Sequence, residues 1–179
     1  PVTRKKSGLN IVVALFMAFL RRFTEIITGI YISPEAEIGE GVLMIHFGGI
    51  TIGPSVIGKN CEIYQGVTLG VSKSLEREVP TLGDRVYLAP GAKVLGNVRV
   101  GNDVCVGPNS VLLISVPDRA MTIGVPARVM GKTGSFEHVI YPGMESDPER
   151  QKSMALLEAA RVPGESTRVE QPSPMPVSA

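Results

Sequence analysis

Two stretches, IGKNCEIYQGVTLG (57–70) and LGDRVYLAPGAKVLGNVRVGNDVCVGPNSVL (82–112), keep a six-residue rhythm. Ile57, Ile63 and Leu69 open three hexads. After an interruption Leu82, Leu88, Val94, Val100, Val106 and Leu112 open the next ones. The fifth position is small or β-branched: Cys61, Val67, Val86, Ala92, Val98, Val104, Ser110. The second is often glycine: Gly58, Gly70, Gly83, Gly101, Gly107. A helix repeats at 3.6 and a strand at 2.0, so neither explains a period of six. An internal repeat of this kind is read before any local element. Six residues fit one flat face of a three-sided coil, and three hexads make one turn of it. Each turn then carries a row of aliphatic and a row of small side chains into a narrow core. The glycines are expected to relax the corners by adopting positive φ. The predicted fold class is mainly β, a left-handed parallel β-helix.

The rhythm extends backward through Ile32, Ile38, Met44 and Ile50, with Ala36, Val42 and Gly48 in the small slots. Between Ile50 and Ile57 the frame slips to seven, which predicts a bulged corner there. Residues 71–81 leave the repeat altogether. Lys73, Glu76, Arg77 and Glu78 make them polar and Pro80 closes them, as in a loop extruded from a rigid scaffold. After Leu112 the pattern frays through Val116-Pro117-Asp118, and beyond Gly131 it is lost. Asp147-Pro148 suits the start of a short helix through Ala160. Residues 162–179, rich in Pro, Ser and Glu, suit disorder. The expected organisation is an N-terminal helical segment (1–29), a β-helix (30–131) and a largely irregular tail (132–179).

Leu9 to Ile27 is predicted as a helix that Gly29 stops. Its apolar run, Ile11 to Leu20, is about half the ~20 residues that span a bilayer, and Arg21 and Arg22 end it. No cleavage-site pattern makes it a signal peptide. Such a helix needs cover. Two readings stay open: packing against sister subunits or a further helical segment, and contact of residues 9–27 with a membrane surface, which Arg4, Lys5 and Lys6 would assist. Pro1 in place of an initiating Met suggests a longer parent chain. The net charge of +1 argues against a nucleic-acid surface. Two cysteines, Cys61 and Cys105, make no disulfide framework, so buried thiols and a reducing cytoplasm are expected.

Chemistry narrows to two histidines. His46 stands beside Phe47-Gly48-Gly49 and His138 lies in the tail. No Cys/His cluster has metal-ligand spacing, so no metal is expected. There is no Walker-type loop and no nucleophile elbow. Three motifs then point further: Tyr64-Gln65-Gly66-Val67-Thr68-Leu69-Gly70, Gly91-Ala92-Lys93-Val94-Leu95-Gly96-Asn97 and Gly124-Val125-Pro126-Ala127-Arg128-Val129. In this order, with a loop after the first, they resemble the serine acetyltransferases over residues 28–131. The resemblance implies acetyl-CoA as donor, a homotrimer or a dimer of trimers, and an active site shared between neighbouring coils. It places His46 as the general base that takes the acceptor hydroxyl's proton. It lays the coenzyme along Gly70, Ala89, Pro90, Gly91 and Pro108, with Arg128 and Lys132 toward its phosphates.

Several family positions differ. The aspartate that orients the histidine falls on Tyr31, with Glu35 as another acid nearby. The aspartate before the histidine is Ile45, and the loop's Arg-His pair falls on Glu78-Val79. With Ile45, Phe47 and Glu78 at the acceptor side, the charges that would hold a free amino acid's ammonium and carboxylate are gone. Burying an unpaired charge is costly. The expected acceptor is therefore a sugar or glycan hydroxyl. Free serine, or a coil that has lost catalysis and serves as a scaffold, are the alternatives.

Overall fold

A computed structural model describes residues 8–70 and 79–160. Three parallel sheets form a solenoid-like β-helix. The first face stacks β1 (Ile30–Ile32), β4 (Ile50–Ile52), β7 (Thr68–Gly70), β10 (Lys93–Leu95) and β13 (Val111–Leu112). The second stacks β2 (Glu37–Ile38), β5 (Val56–Ile57), β8 (Thr81–Leu82) and β11 (Arg99–Val100). The third stacks β3 (Leu43–Ile45), β6 (Glu62–Tyr64), β9 (Tyr87–Leu88), β12 (Cys105–Val106) and β14 (Met121–Gly124), and an antiparallel β15 (Ala127–Gly131) closes it. Strands this short survive because, away from the two ends, each pairs with the coil above and the coil below. Val86, Val104 and Ala120 mark the pattern: the N–H of Glu62 donates to Val86 O, that of Tyr87 to Val104 O and that of Cys105 to Ala120 O.

The lumen is the aliphatic row the hexads predict. Ile57, Ile63, Leu69, Leu82, Leu88, Val94, Val100, Val106 and Leu112 are all buried, and so are the small slots from Cys61 to Ser110. Both cysteines are free and buried. Burial pushes the Cys61 thiol up to about 12 and the Cys105 thiol up to about 11, so neither is a reactive thiolate.

The frame slip lies elsewhere than expected. Register pairs Ile32 with Ile52, and Ile52 with Leu69. The lumen row therefore runs Met44, Ile52, Ile57. The step from Met44 to Ile52 is eight residues where Ile63 to Leu69 takes six, and the step from Ile52 to Ile57 is five. Two residues are added at the corner after β3, which is His46-Phe47-Gly48-Gly49. Ile50 is also buried, which is why an aliphatic-only pattern takes it for the frame.

The second-position glycines also work differently from the expectation. Gly39, Gly58, Gly83 and Gly101 do not have positive φ. A Cβ on Gly39 would lie 2.7 Å from the carbonyl of Gly58, and a Cβ on Gly58 would strike the carbonyl of Gly83. What excludes a side chain is the close approach of the next coil. The left-handed corner is instead one position before most of the small slots. Gly41, Asn60, Arg85, Asp103 and Arg119 all have φ between 53° and 70° there.

Helix α1 (Gly8–Thr28) ends at Gly29, whose φ is 64° and whose N–H donates to Glu25 O. Among the described residues no helix is long and apolar enough to cross a membrane. At the other end, residues 132–160 are largely irregular up to the short helix that Asp147-Pro148 predicts. They run back over the third face and are pinned by polar anchors. Ser135 Oγ donates to Arg85 O, and the N–H of Ile140 donates to Glu62 Oε1 at 3.0 Å. Asp147 Oδ1 accepts from the N–H groups of Glu149 and Arg150 and so caps α2 (Pro148–Ala160). Arg150 donates to Phe136 O and Val139 O. Beneath lies a buried ion pair: Arg85 Nε meets Asp103 Oδ1 at 2.7 Å, and Ser153 Oγ of α2 donates to Asp103 Oδ2. Burial works against the Arg85 charge, but the Asp103 carboxylate keeps it protonated.

Two predictions follow from this packing. Gly58→Ala has no room, and overpacking of this kind costs about 1–3 kcal/mol. Its urea midpoint should fall, whereas an unchanged midpoint would refute the close-approach reading. Separately, the Tyr141 hydroxyl donates to Asp147, and that bond holds the carboxyl below its ordinary value. A lowered carboxyl stabilises the fold fully above the ordinary value, about 4. The contribution is lost as pH falls through the lowered one. Between pH 5 and about pH 3 the parent chain should therefore lose more urea resistance than Asp147→Asn. Equal losses would contradict the cap's role.

Candidate active site

The added corner puts His46 outside the coil. Its φ of 56° turns the backbone left-handed, and the residue is exposed. Phe47 beside it is 79% exposed, and Gly48 and Gly49 follow at φ 111° and 68°. A non-glycine residue in this region is uncommon and is held by its surroundings. The support is visible: the carbonyl of Gly48 accepts from the N–H of Gly66 one coil on. The imidazole meets the Tyr64 ring edge-on, centroids 6.1 Å apart. Tyr64 stands next to Ile45 in register across β3 and β6.

From His46 a row of rings crosses the third face. Tyr64 lies 5.2 Å from Tyr87, and Tyr87 stacks on His138 at 4.6 Å. Burial, followed by the Tyr64 phenol, pushes the Tyr87 hydroxyl up to about 12. Tyr87 therefore stays a neutral donor at physiological pH. His138 thus packs residues 132–147 onto β9.

The corner stack ties several expected residues to the same edge of the prism. The N–H of Gly91 donates to Gln65 O, and that of Asn109 donates to Pro90 O. Pro90, Gly91 and Pro108 therefore follow His46 up one edge, at about 4.8 Å per coil. Pro90 and Pro108 have no N–H to offer, and that of Gly91 is already committed to the ladder. The Ala89 N–H also goes to Val106 O, and Ala89 is buried. Gly70 lies at the far end of β7 and its carbonyl accepts from Gly96. Arg128 on β15 and Lys132 just after it are exposed near the closing coil. Ile45 is half-buried. Tyr31 faces outward on β1, with the Arg21 guanidinium 5.5 Å over its ring, and among the described residues no hydrogen bond joins it to His46. Glu35 is exposed on the corner after β1. Glu78 lies outside the described residues.

One residue at this edge escaped the sequence reading. Gln65 Oε1 is buried and has no hydrogen-bond partner among the described residues. Such an atom loses its water without compensation, at a cost of about 1–3 kcal/mol. Its only signal in the chain is a carboxamide where the equivalent corner of the next coil has Pro90.

Parallel coils of six-residue faces, with one irregular corner presenting an imidazole, define a hexapeptide-repeat β-helix. Residues 80–113 match the bacterial transferase hexapeptide family of six repeats. The serine acetyltransferase of Synechococcus elongatus is 40% identical over 117 residues, which are 64% of this chain and 48% of that one. The serine acetyltransferase of Brucella abortus strain S19, solved in complex with coenzyme A, superposes with a TM-score of 0.62 at 36% identity, over 66% of this chain and 48% of that one. The Neisseria gonorrhoeae serine acetyltransferase solved in complex with serine gives 0.61 at 34%, over 66% and 49%. Over about two thirds of its length this chain is thus similar to serine acetyltransferases, and residues 80–113 carry the hexapeptide repeat of bacterial transferases. The chain spans about half the length of the curated relatives it matches.

Gln65→Leu removes the unpartnered acceptor and keeps most of the volume. It should melt higher than the parent chain by the equivalent of about 1 kcal/mol. A lower melting temperature would show that Oε1 is satisfied in solution.

Proposed function

We propose that this chain is an acetyl-CoA-dependent O-acetyltransferase whose acceptor is the hydroxyl of free serine. The observation that carries the reading is the two-residue expansion that sets His46 on an exposed edge, in a fold whose relatives bear the serine acetyltransferase name. Histidine suits the step because an imidazole titrates near neutrality. His46 takes the proton from the acceptor hydroxyl as the oxygen attacks the thioester carbonyl. The C–S bond breaks, the acetyl group moves to oxygen, and the departing thiolate takes the proton back from the imidazole. Tyr31 would act only by positioning the ring.

The coenzyme's pantetheine arm carries amide N–H groups, and Gln65 Oε1 on the same edge is an acceptor without a partner among the described residues. That chemistry fits. Gly70, Ala89, Pro90, Gly91 and Pro108 would supply close backbone walls and carbonyls rather than donors. Arg128 and Lys132 would meet the phosphates. The working unit in this reading is a homotrimer, or a dimer of trimers, in the cytoplasm, with a neighbouring copy completing the groove.

A second acceptor reading rests on Ile45. A half-buried aliphatic residue next to His46 cannot pair with an ammonium or carboxylate group, which favours a sugar or glycan hydroxyl. The relatives' names do not support that reading, and serine stands first for that reason. The Glu78 position bears on it equally but is outside the described residues.

Release of free CoA from acetyl-CoA decides among these. Serine-dependent release that His46→Ala lowers about 10²–10⁴-fold supports the proposal. Release with sugar hydroxyls and not with serine would transfer it to the second acceptor. CoA binding without turnover on either would leave a scaffold.

A further inference from the structure

Helix α1 carries its bulky residues on one side. At 100° per residue, Val12, Val13, Leu15, Phe16, Met17, Phe19, Leu20, Phe23, Ile26 and Ile27 fall within an arc of about 200°. Ala14, Ala18, Arg21, Arg22 and Glu25 occupy the remainder, and Thr24 is the one polar residue within the arc. The bulky side touches little of the coil. Phe16, Met17, Phe19, Phe23, Ile26 and Ile27 are each between 50% and 73% exposed. The polar side is tied down: Arg21 and Arg22 both pair with Glu25, and Arg21 covers Tyr31. The helix is thus attached to the coil by its C-terminal polar end, with its apolar arc free among the described residues.

Charge is distributed unevenly along the chain. The first 34 residues hold five basic side chains and one acidic one. The remainder holds thirteen basic and sixteen acidic. The positive end coincides with the apolar helix and the negative excess with the rest. The apolar run, Ile11 to Leu20, is about 15 Å long at 1.5 Å per residue. That is half a hydrocarbon core, and no described helix can cross a membrane. A wide apolar arc, a small polar side, basic flanks and insufficient length are the features of a helix that lies in an interface.

We propose that α1 binds the surface of a membrane rich in anionic lipids, lying in its plane with the phenylalanine side in the acyl boundary. Lys5 and Lys6 supply electrostatic attraction, at about 1 kcal/mol per basic residue near such a surface, and Arg21 and Arg22, which share Glu25, add a net charge of +1 at the other end. The attachment places the candidate site close to the bilayer. Gly29, just past the helix, packs on Gly48, where an added Cβ would lie 3.2 Å from the Gly48 Cα. Gly48 is part of the His46 corner. This proposal does not rest on the acetyl-transfer reading.

Co-sedimentation of the full chain with extruded vesicles tests it. One set is phosphatidylcholine alone and the other contains phosphatidylglycerol. The chain should pellet with the phosphatidylglycerol vesicles at low salt and be released as salt rises. Phe16→Ser with Phe19→Ser should weaken binding about tenfold or more. Lys5→Gln with Lys6→Gln should weaken it less and flatten the salt dependence. Phe16 and Phe19 are each more than half exposed, and unchanged urea midpoints in both double variants will show that the fold is intact. Overturning results are a chain that stays in the supernatant with both vesicle types, or phenylalanine variants that pellet like the parent. A helix that instead holds copies together, seen as a fall in sedimenting mass in the phenylalanine variants without vesicle binding, also overturns it.

Discussion

Successive coils lie about 4.8 Å apart, and that spacing governs the rest of the molecule. A ladder this tight leaves no space for a Cβ at Gly39, Gly58, Gly83 or Gly101, where the neighbouring backbone already fills it. It limits the lumen to one aliphatic and one small residue per face. It also makes the backbone self-sufficient, since each strand of two or three residues is paired on both sides through most of the coil. A buried pair such as Arg85 and Asp103 is tolerated because the stacking places its two members directly over one another in adjacent coils. Ser153 of α2 then adds a second donor to the carboxylate oxygen that Arg85 Nη2 also meets.

Function enters where the spacing is kept and the count is broken. Two additional residues at one corner leave the ladder intact, because the carbonyl of Gly48 still meets Gly66. They push His46 and Phe47 out of line with the corners above. The corners above contribute what the ladder leaves unused: prolyl rings, carbonyls and the buried Gln65 oxygen. A regular prism thereby gains one edge that differs from the other two, with an exposed imidazole on it.

The phase of the coil from Ile57 onward is legible in the residues alone, since each lumen position admits only an aliphatic. So are the end of α1 at Gly29 and the Asp147 cap of α2. The phase before Ile57 is not legible, because Ile50 and Ile52 are both aliphatic and both buried, and only register separates them. Residues 132–160 fold through single polar contacts that join positions as far apart as Glu62 and Ile140. No periodicity announces those. The glycine positions are legible while their cause is not, for a letter G does not distinguish a turn that needs positive φ from a wall that needs space. At the site, His46 stands out as one of two histidines. Gln65 does not, because a carboxamide is conspicuous only once its surroundings are seen to offer no donor.

Deleting Phe47 and Gly48 returns the step from Met44 to Ile52 to six residues and makes this corner match Tyr64-Gln65-Gly66. The decisive measurement is the deletion variant's urea midpoint together with its rate of CoA release from acetyl-CoA. The account predicts a coil at least as stable as the parent, with release lowered about a hundredfold or more. A variant that folds and turns over like the parent, or one whose coil no longer forms, would contradict the claim that these two residues serve the site and not the fold.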